Sequence, residues 1–171
     1  MSPDAGWTVE LEQRVSGPPE EVFPYFTDPD RYRRWKGVDA QLDARPGGIY
    51  RVTMGPNVWV RGEYLVVDPP HRVLMSLGFE STGPLPRGLA QVPPGSSTVE
   101  FTFVPDGDDT IIRVRHKGLP SEEAHWAHGV GWRGYLPRLA AILGGRDPGE
   151  DPAEEITATL MRGAPATEPT T

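Results

Sequence analysis

The 171-residue chain has no cysteine. That excludes disulfide staples, thiolate nucleophiles and thiolate metal sites, and it agrees with a cytoplasmic setting. No apolar run approaches the roughly 20 residues a membrane-spanning helix needs, so no membrane association is expected. Met1 to Gly6 carry neither a basic start nor an apolar stretch and do not read as a secretory signal. Lysine is nearly missing: arginine outnumbers it fifteen to two, a bias we take, with twenty glycines and twenty prolines, as genomic base composition. Positive charge is scarce as well. The net charge is −7, but residues 147–171 hold six acids and one base, so the preceding part carries only −2. A nearly neutral domain has no electrostatic footprint for nucleic acid. The basic cluster of Arg31, Arg33 and Arg34 sits beside Asp28 and Asp30 and reads as a helix end. Phosphate-binding loops, dinucleotide fingerprints, zinc motifs and a Gly-x-Ser-x-Gly elbow are all missing. With no catalytic constellation visible, the balance leans against an enzyme, and neither cofactor nor metal is expected.

What is present is a strand-rich pattern suited to one domain. Trp7, Val9, Leu11 and Val15 alternate with polar residues, as in a half-buried strand, and Gln13 shares their face. Pro18-Pro19-Glu20-Glu21 opens a short helix, and Asp28 caps a second. Strands follow over 40–44, 49–54, 58–67, 73–79, 97–104 and 110–116, separated by Gly- and Pro-rich turns. The segment Glu80–Gly95 is a long Pro/Gly-rich loop. From Ser121, residues His128, Trp132, Tyr135, Leu136, Leu139 and Leu143 recur at helical spacing, with Pro137 expected to kink the helix and Gly144-Gly145 to end it. The domain is expected over 1–145, followed by an acidic, flexible tail (146–171) with a short helix over 152–162. Consecutive strands joined by short turns pair antiparallel, and the last helix has the apolar stripe to cover one face. The fold class is α+β: a curved antiparallel sheet of about seven strands around a long C-terminal helix, with two short helices after the first strand. Such a grip can leave space for a ligand.

Several motifs in this order resemble the helix-grip superfamily of SRPBCC or START-like proteins. They are Ser16 to Phe23, Arg34-Trp35, Pro46 to Tyr50, Gly62-Glu63-Tyr64 through Asp68 to Arg72, Ser97-Thr98-Val99, Thr110 through His116, and Gly131-Trp132 through Tyr135-Leu136. Within it the chain is most similar to the branch named after homologues of the heat-shock-chaperone ATPase activator. The resemblance implies a cavity, but one scaffold hosts binders, polyketide aromatase/cyclases and resistance proteins. The chain also resembles, in fold and branch, the self-sacrifice resistance proteins made with enediyne antibiotics. In those proteins a drug diradical takes a hydrogen from a glycine α-carbon and the chain is cut. Gly78, Gly118 and Gly131 fall near the expected pocket walls.

By strand parity His116 points inward, where a polar ring must be hydrogen-bonded, solvated or facing a ligand. His125 and His128, three apart on the helix, invite a metal reading with His116, but no acid is spaced to complete a site. Trp132 and Tyr135 lie where the gripping helix meets both core and cavity. The expected ligand-binding set is His116, Trp132, Tyr135, His128, Gln13, Trp35, Val114, Phe101 and Met75. The first reading is a binder of a small hydrophobic, polyketide-like or lipid-like molecule, as a monomer or weak homodimer. The second is a cyclase in which His116 or Arg113 assists proton transfer, and the third a co-chaperone-like interaction module.

Overall fold

A computed structural model of the chain describes residues 6–165. Strand β1 (Trp7–Ser16) leads into α1 (Pro19–Val22), a single 3-10 turn (Phe23–Phe26) and α2 (Pro29–Tyr32). As expected, Asp28 caps α2 by accepting from the Asp30 amide at 2.9 Å. Six strands follow: β2 (Asp39–Leu42), β3 (Ile49–Gly55), β4 (Val58–Asp68), β5 (Arg72–Ser81), β6 (Ser97–Asp106) and β7 (Asp109–Leu119). They form one antiparallel sheet in the order β1-β7-β6-β5-β4-β3-β2. Every β2–β7 connection joins sheet neighbours, and only β1 crosses over, to pair with β7 at the far edge. This is the helix-grip arrangement expected from the sequence.

Part of the long loop is ordered by a one-turn helix, α3 (Arg87–Ala90). Gly88 makes this possible: a Cβ there would meet the Ala127 Cβ at 2.6 Å and the Glu123 carbonyl oxygen at 2.8 Å. Only a residue without a side chain lets α3 approach the gripping helix so closely.

That helix, α4, runs from Glu122 to Leu143. Ser121 caps it by accepting from the Ala124 amide at 3.0 Å, and two acids fill its first turn. The helix continues through Pro137, which is exposed. After Gly145 the chain returns along the helix. Arg138 donates through Nε to the Trp35 carbonyl and through Nη1 to those of Pro148, Gly149 and Glu150. It thus ties the end of the α2 region to the acidic segment. The helix expected there forms as α5 (Ala153–Arg162); Leu160 is buried and the Ile156 Cδ1 would lie 2.7 Å from a Cβ at Gly134 of α4.

Aromatic rings fill much of the space between sheet and helix. Phe26 meets Trp35, Phe101 and Phe103 at centroid distances of 5.2, 4.7 and 5.0 Å, and Phe101 meets Trp132 at 5.5 Å. Each such pair adds to what ring burial alone contributes. The tyrosines Tyr32, Tyr50 and Tyr64 are fully enclosed beside them; the first two share a hydroxyl–hydroxyl hydrogen bond, and Tyr64 donates to the Phe26 carbonyl at 2.9 Å.

Candidate functional site

The packing is solid over β6 and β7 and where β3, β4 and β5 carry Tyr50, Tyr64 and Met75, but not at the β3–β4 turn and the end of β5. There a cavity of about 820 Å³ opens between the sheet and helices α3, α4 and α5. Sheet parity explains its position. Along β5 the inward side chains pass from Met75, fully buried in the core, to Leu77 and Phe79 on the cavity wall. Val58 and Val60 continue the floor, Leu85 and Leu89 close one side, and Ile156 and Leu160 of α5 close another. The mouth is framed by exposed Val38, Pro56, Asp151 and Thr157.

Three of the nine residues expected at a ligand site lie on this wall: His128, Trp132 and Tyr135. Trp35, Met75, Phe101 and Val114 are instead core residues. Gln13 is half-buried on edge strand β1, its amide donating to the neighbouring Arg14 carbonyl. The pocket strands β3 to β5 lie on the other side of the sheet, which is why parity alone misplaces it. Trp7 shares the inward parity but sits 44% exposed at the strand end, against His125 at 5.4 Å.

His116 is fully buried, but as a link in a hydrogen-bond chain. The Trp132 indole N–H donates to His116 Nδ1 at 3.1 Å. Nε2 must then carry the proton; it meets Ser97 Oγ at 2.8 Å, and Ser97 donates onward to the Leu77 carbonyl at 2.7 Å. Burial first, then the nearby His128 and Lys36, push its pKa well below the usual histidine value, so the ring is neutral. It positions Trp132 from behind and is not on the cavity wall. Arg113, the other proton-transfer candidate, is exposed and paired with Glu12 at 3.1 Å.

His128 donates from Nδ1 to the Ala124 carbonyl at 2.8 Å, one turn back on its own helix. Its Nε2 has no hydrogen-bond partner among the described residues. Burial pulls this histidine down to about 4. Its ring meets His116 edge-on at 4.9 Å and Phe79 at 5.7 Å. Tyr135 lines the cavity with its ring and spends its hydroxyl on Asp151 at 3.0 Å; the same carboxylate oxygen accepts from the Ala153 amide at the start of α5. Burial, then Asp151, pushes the phenol upward.

One wall residue escapes sequence reading. Lys36 is only 6% exposed and lines the cavity, its Nζ 4.4 Å from the centre of the Trp132 ring. Among the described residues no carboxylate and no hydrogen-bond acceptor pairs with it. Gly37 sets its position: at φ +83° it presses the backbone against β3, where a Cβ would meet Val52 Cγ1 at 2.5 Å. The available signal was rarity, since a lysine in so arginine-rich a chain stands out.

Of the three glycines near the expected walls, Gly131 alone lines the cavity, and a Cβ there would meet nothing within 4 Å. Gly78 is sealed by the Pro93 carbonyl, 1.9 Å from where a Cβ would stand, and Gly118 lies by the Ser96 carbonyl.

Residues 16–144 match the family described as activator of Hsp90 ATPase homolog 1-like protein. The chain belongs to that AHSA1-like family. Among its relatives of known structure, the AHSA1-like protein RHE_CH02687 from Rhizobium etli is 38% identical, with 86% of this chain and 88% of that one covered and a TM-score of 0.66. DynU16, a protein in the dynemicin biosynthetic locus, is 26% identical, with 84% of this chain and 50% of that one covered and a TM-score of 0.68. The uncharacterized protein C1711.08 of Schizosaccharomyces pombe is 26% identical over 74% of this chain. The chain spans only 34% of the length of that curated relative. Among the described residues, no helix of this AHSA1-like chain is long and apolar enough to cross a membrane.

Proposed function

We propose that this AHSA1-like domain binds a small hydrophobic molecule, polyketide-like or lipid-like, in the cavity beneath α4. The observation that carries this reading is the cavity itself: about 820 Å³, floored by Val58, Val60, Leu77 and Phe79 and roofed by Trp132 and Tyr135. Burying an apolar ligand there removes its surface from water at about 25 cal/mol per Å². A co-chaperone-like role, which the family's name suggests, needs no such opening. The cyclase reading loses its named proton carriers, because His116 is committed to Ser97 and Trp132 and Arg113 faces solvent. The test is calorimetry with methyl 1-naphthoate, a neutral apolar probe. One saturable site with a negative heat-capacity change is expected; no saturable binding would refute the reading.

Gly131 supports a narrower form of the same function, sacrificial resistance to an enediyne-type product. Its α-carbon faces open space on the cavity wall, unshielded by a side chain. A diradical held there would break the α C–H bond and form a C–H bond on the drug. Dioxygen adds to the remaining carbon radical, a thiol reductant gives the peroxyl a hydrogen atom, and the α-hydroperoxide so formed breaks down with cleavage of the backbone. Exposure to an activated enediyne, followed by intact mass analysis, is expected to give two fragments meeting at Gly131, with Gly131→Ala left whole. Uncut wild-type chain, or cleavage elsewhere, would count against this form.

A further inference from the structure

We infer that Lys36 is the anchor for an acidic group on the ligand, so that the cavity prefers an apolar molecule carrying one ionised carboxylate. The inference rests on the cavity reading above and names the chemistry of what enters.

Lysine is almost never fully buried without a paired anion. Here the lysine is more than nine-tenths buried, stands on the cavity wall and has no acidic partner among the described residues. Its Nζ stands over the face of Trp132, a favourable contact. Trp132 is itself held rigid, since its indole N–H is fixed to His116. The acids near the cavity, Glu150, Asp151 and Glu154, are exposed residues of the mouth rather than counter-ions of the interior, and Asp151 is occupied by Tyr135 and Ala153. Among the described residues, the interior thus holds a basic group with no acid to match it, on largely apolar walls. Burial accordingly pulls the amine down to about 7. A carboxylate seated beside it supplies the missing partner through a charge-assisted hydrogen bond, the stronger kind. The acidic rim disfavours an anion that stops at the mouth, so the pairing rewards full entry with the acid group innermost.

Proton linkage gives a signature that no merely structural lysine would produce. Near pH 8 most of the free protein's Lys36 is neutral, given its value of about 7. Stabilising the ammonium form makes the complex take up a proton as it forms. The other titratable groups facing this corner stay silent in that range. His128 lies near 4, burial pushes His116 well below the usual histidine value, and Tyr135 is pushed upward.

The experiment compares 1-naphthoate with methyl 1-naphthoate by calorimetry at pH 8, in buffers of different ionisation enthalpy. Naphthoate is expected to bind about tenfold more tightly than its ester, as a hydrogen bond to a charged group warrants. It should also take up close to one proton per molecule bound. Lys36→Met should erase both the preference and the uptake while still binding the ester. Should that variant fail to fold, the proton uptake in wild-type protein decides alone. Equal affinity for acid and ester, or naphthoate binding without proton uptake, overturns the assignment while leaving the cavity reading intact. Failure of both probes to bind refutes the cavity reading and this inference with it.

Discussion

At the scale of single residues, the cavity wall depends on side chains that are themselves held in place. The chain Trp132–His116–Ser97–Leu77 leaves no buried donor or acceptor of His116 unpaired. Ser97→Ala would strand the His116 N–H in an apolar interior. We expect a loss of about 1–3 kcal/mol in urea unfolding, more than a surface serine would cost. Protonation supplies a second expectation. Lys36 falls to about 7 in the folded protein from its ordinary 10.5. Between those values the unfolded chain binds the proton that the folded chain does not, so stability is lost as pH drops from about 10 to about 7. The slope of unfolding free energy over that range should approach about 1.4 kcal/mol per pH unit and flatten in Lys36→Met. His128, lowered to about 4, adds a further loss as pH falls from 6.5 toward 4. Denaturant titrations across pH check both. None of this was legible in strand parity: it placed His116 inward correctly, but which of two ring nitrogens meets a serine or a tryptophan depends on residues 16 to 19 positions away.

At the scale of elements, local signals carried far. The alternation in β5 to β7, the Ser121 cap and the start of α5 are all short-range patterns, and each appears where the sequence places it. What sequence spacing could not supply is how elements approach one another. The segment 80–95 reads as loop, yet Gly88 brings α3 against α4 at a distance no side chain tolerates. Gly88→Ala must displace α3, because the Glu123 carbonyl and the Ala127 methyl group have no rotamer to give way. A destabilisation of about 1–3 kcal/mol is expected, with faster amide exchange across 85–92 as its specific mark. The stretch 148–151 is bonded to the gripping helix by Arg138 and by Tyr135, which donates to Asp151. These are side-chain contacts with groups 10 to 16 positions away, invisible to composition. Arg138→Ala should therefore loosen α5 before it unfolds the sheet, seen as protease sensitivity near 146–152 at temperatures where the core stays intact.

At the scale of the whole molecule, the sheet order and the gripping helix were readable because each strand pairs with a sequence neighbour apart from β1. The cavity's position was not. Four of the nine expected ligand residues turned out to be core because Phe26, Trp35, Phe101 and Trp132 fill the β6–β7 half of the grip. The open volume is left at the β3–β4 turn and the end of β5, where Val58, Val60, Leu77 and Phe79 line it and α5 completes the wall. An apolar molecule is expected to enter at this end of the grip. The most direct measurement is a methyl-labelled NMR titration with methyl 1-naphthoate. Ring-current shifts are predicted at Val58, Val60, Leu77, Leu89, Ile156 and Leu160, with Val15, Ile112 and Leu119 unmoved. Shifts confined to exposed Leu65 and Met161, or none at saturating probe, would contradict it.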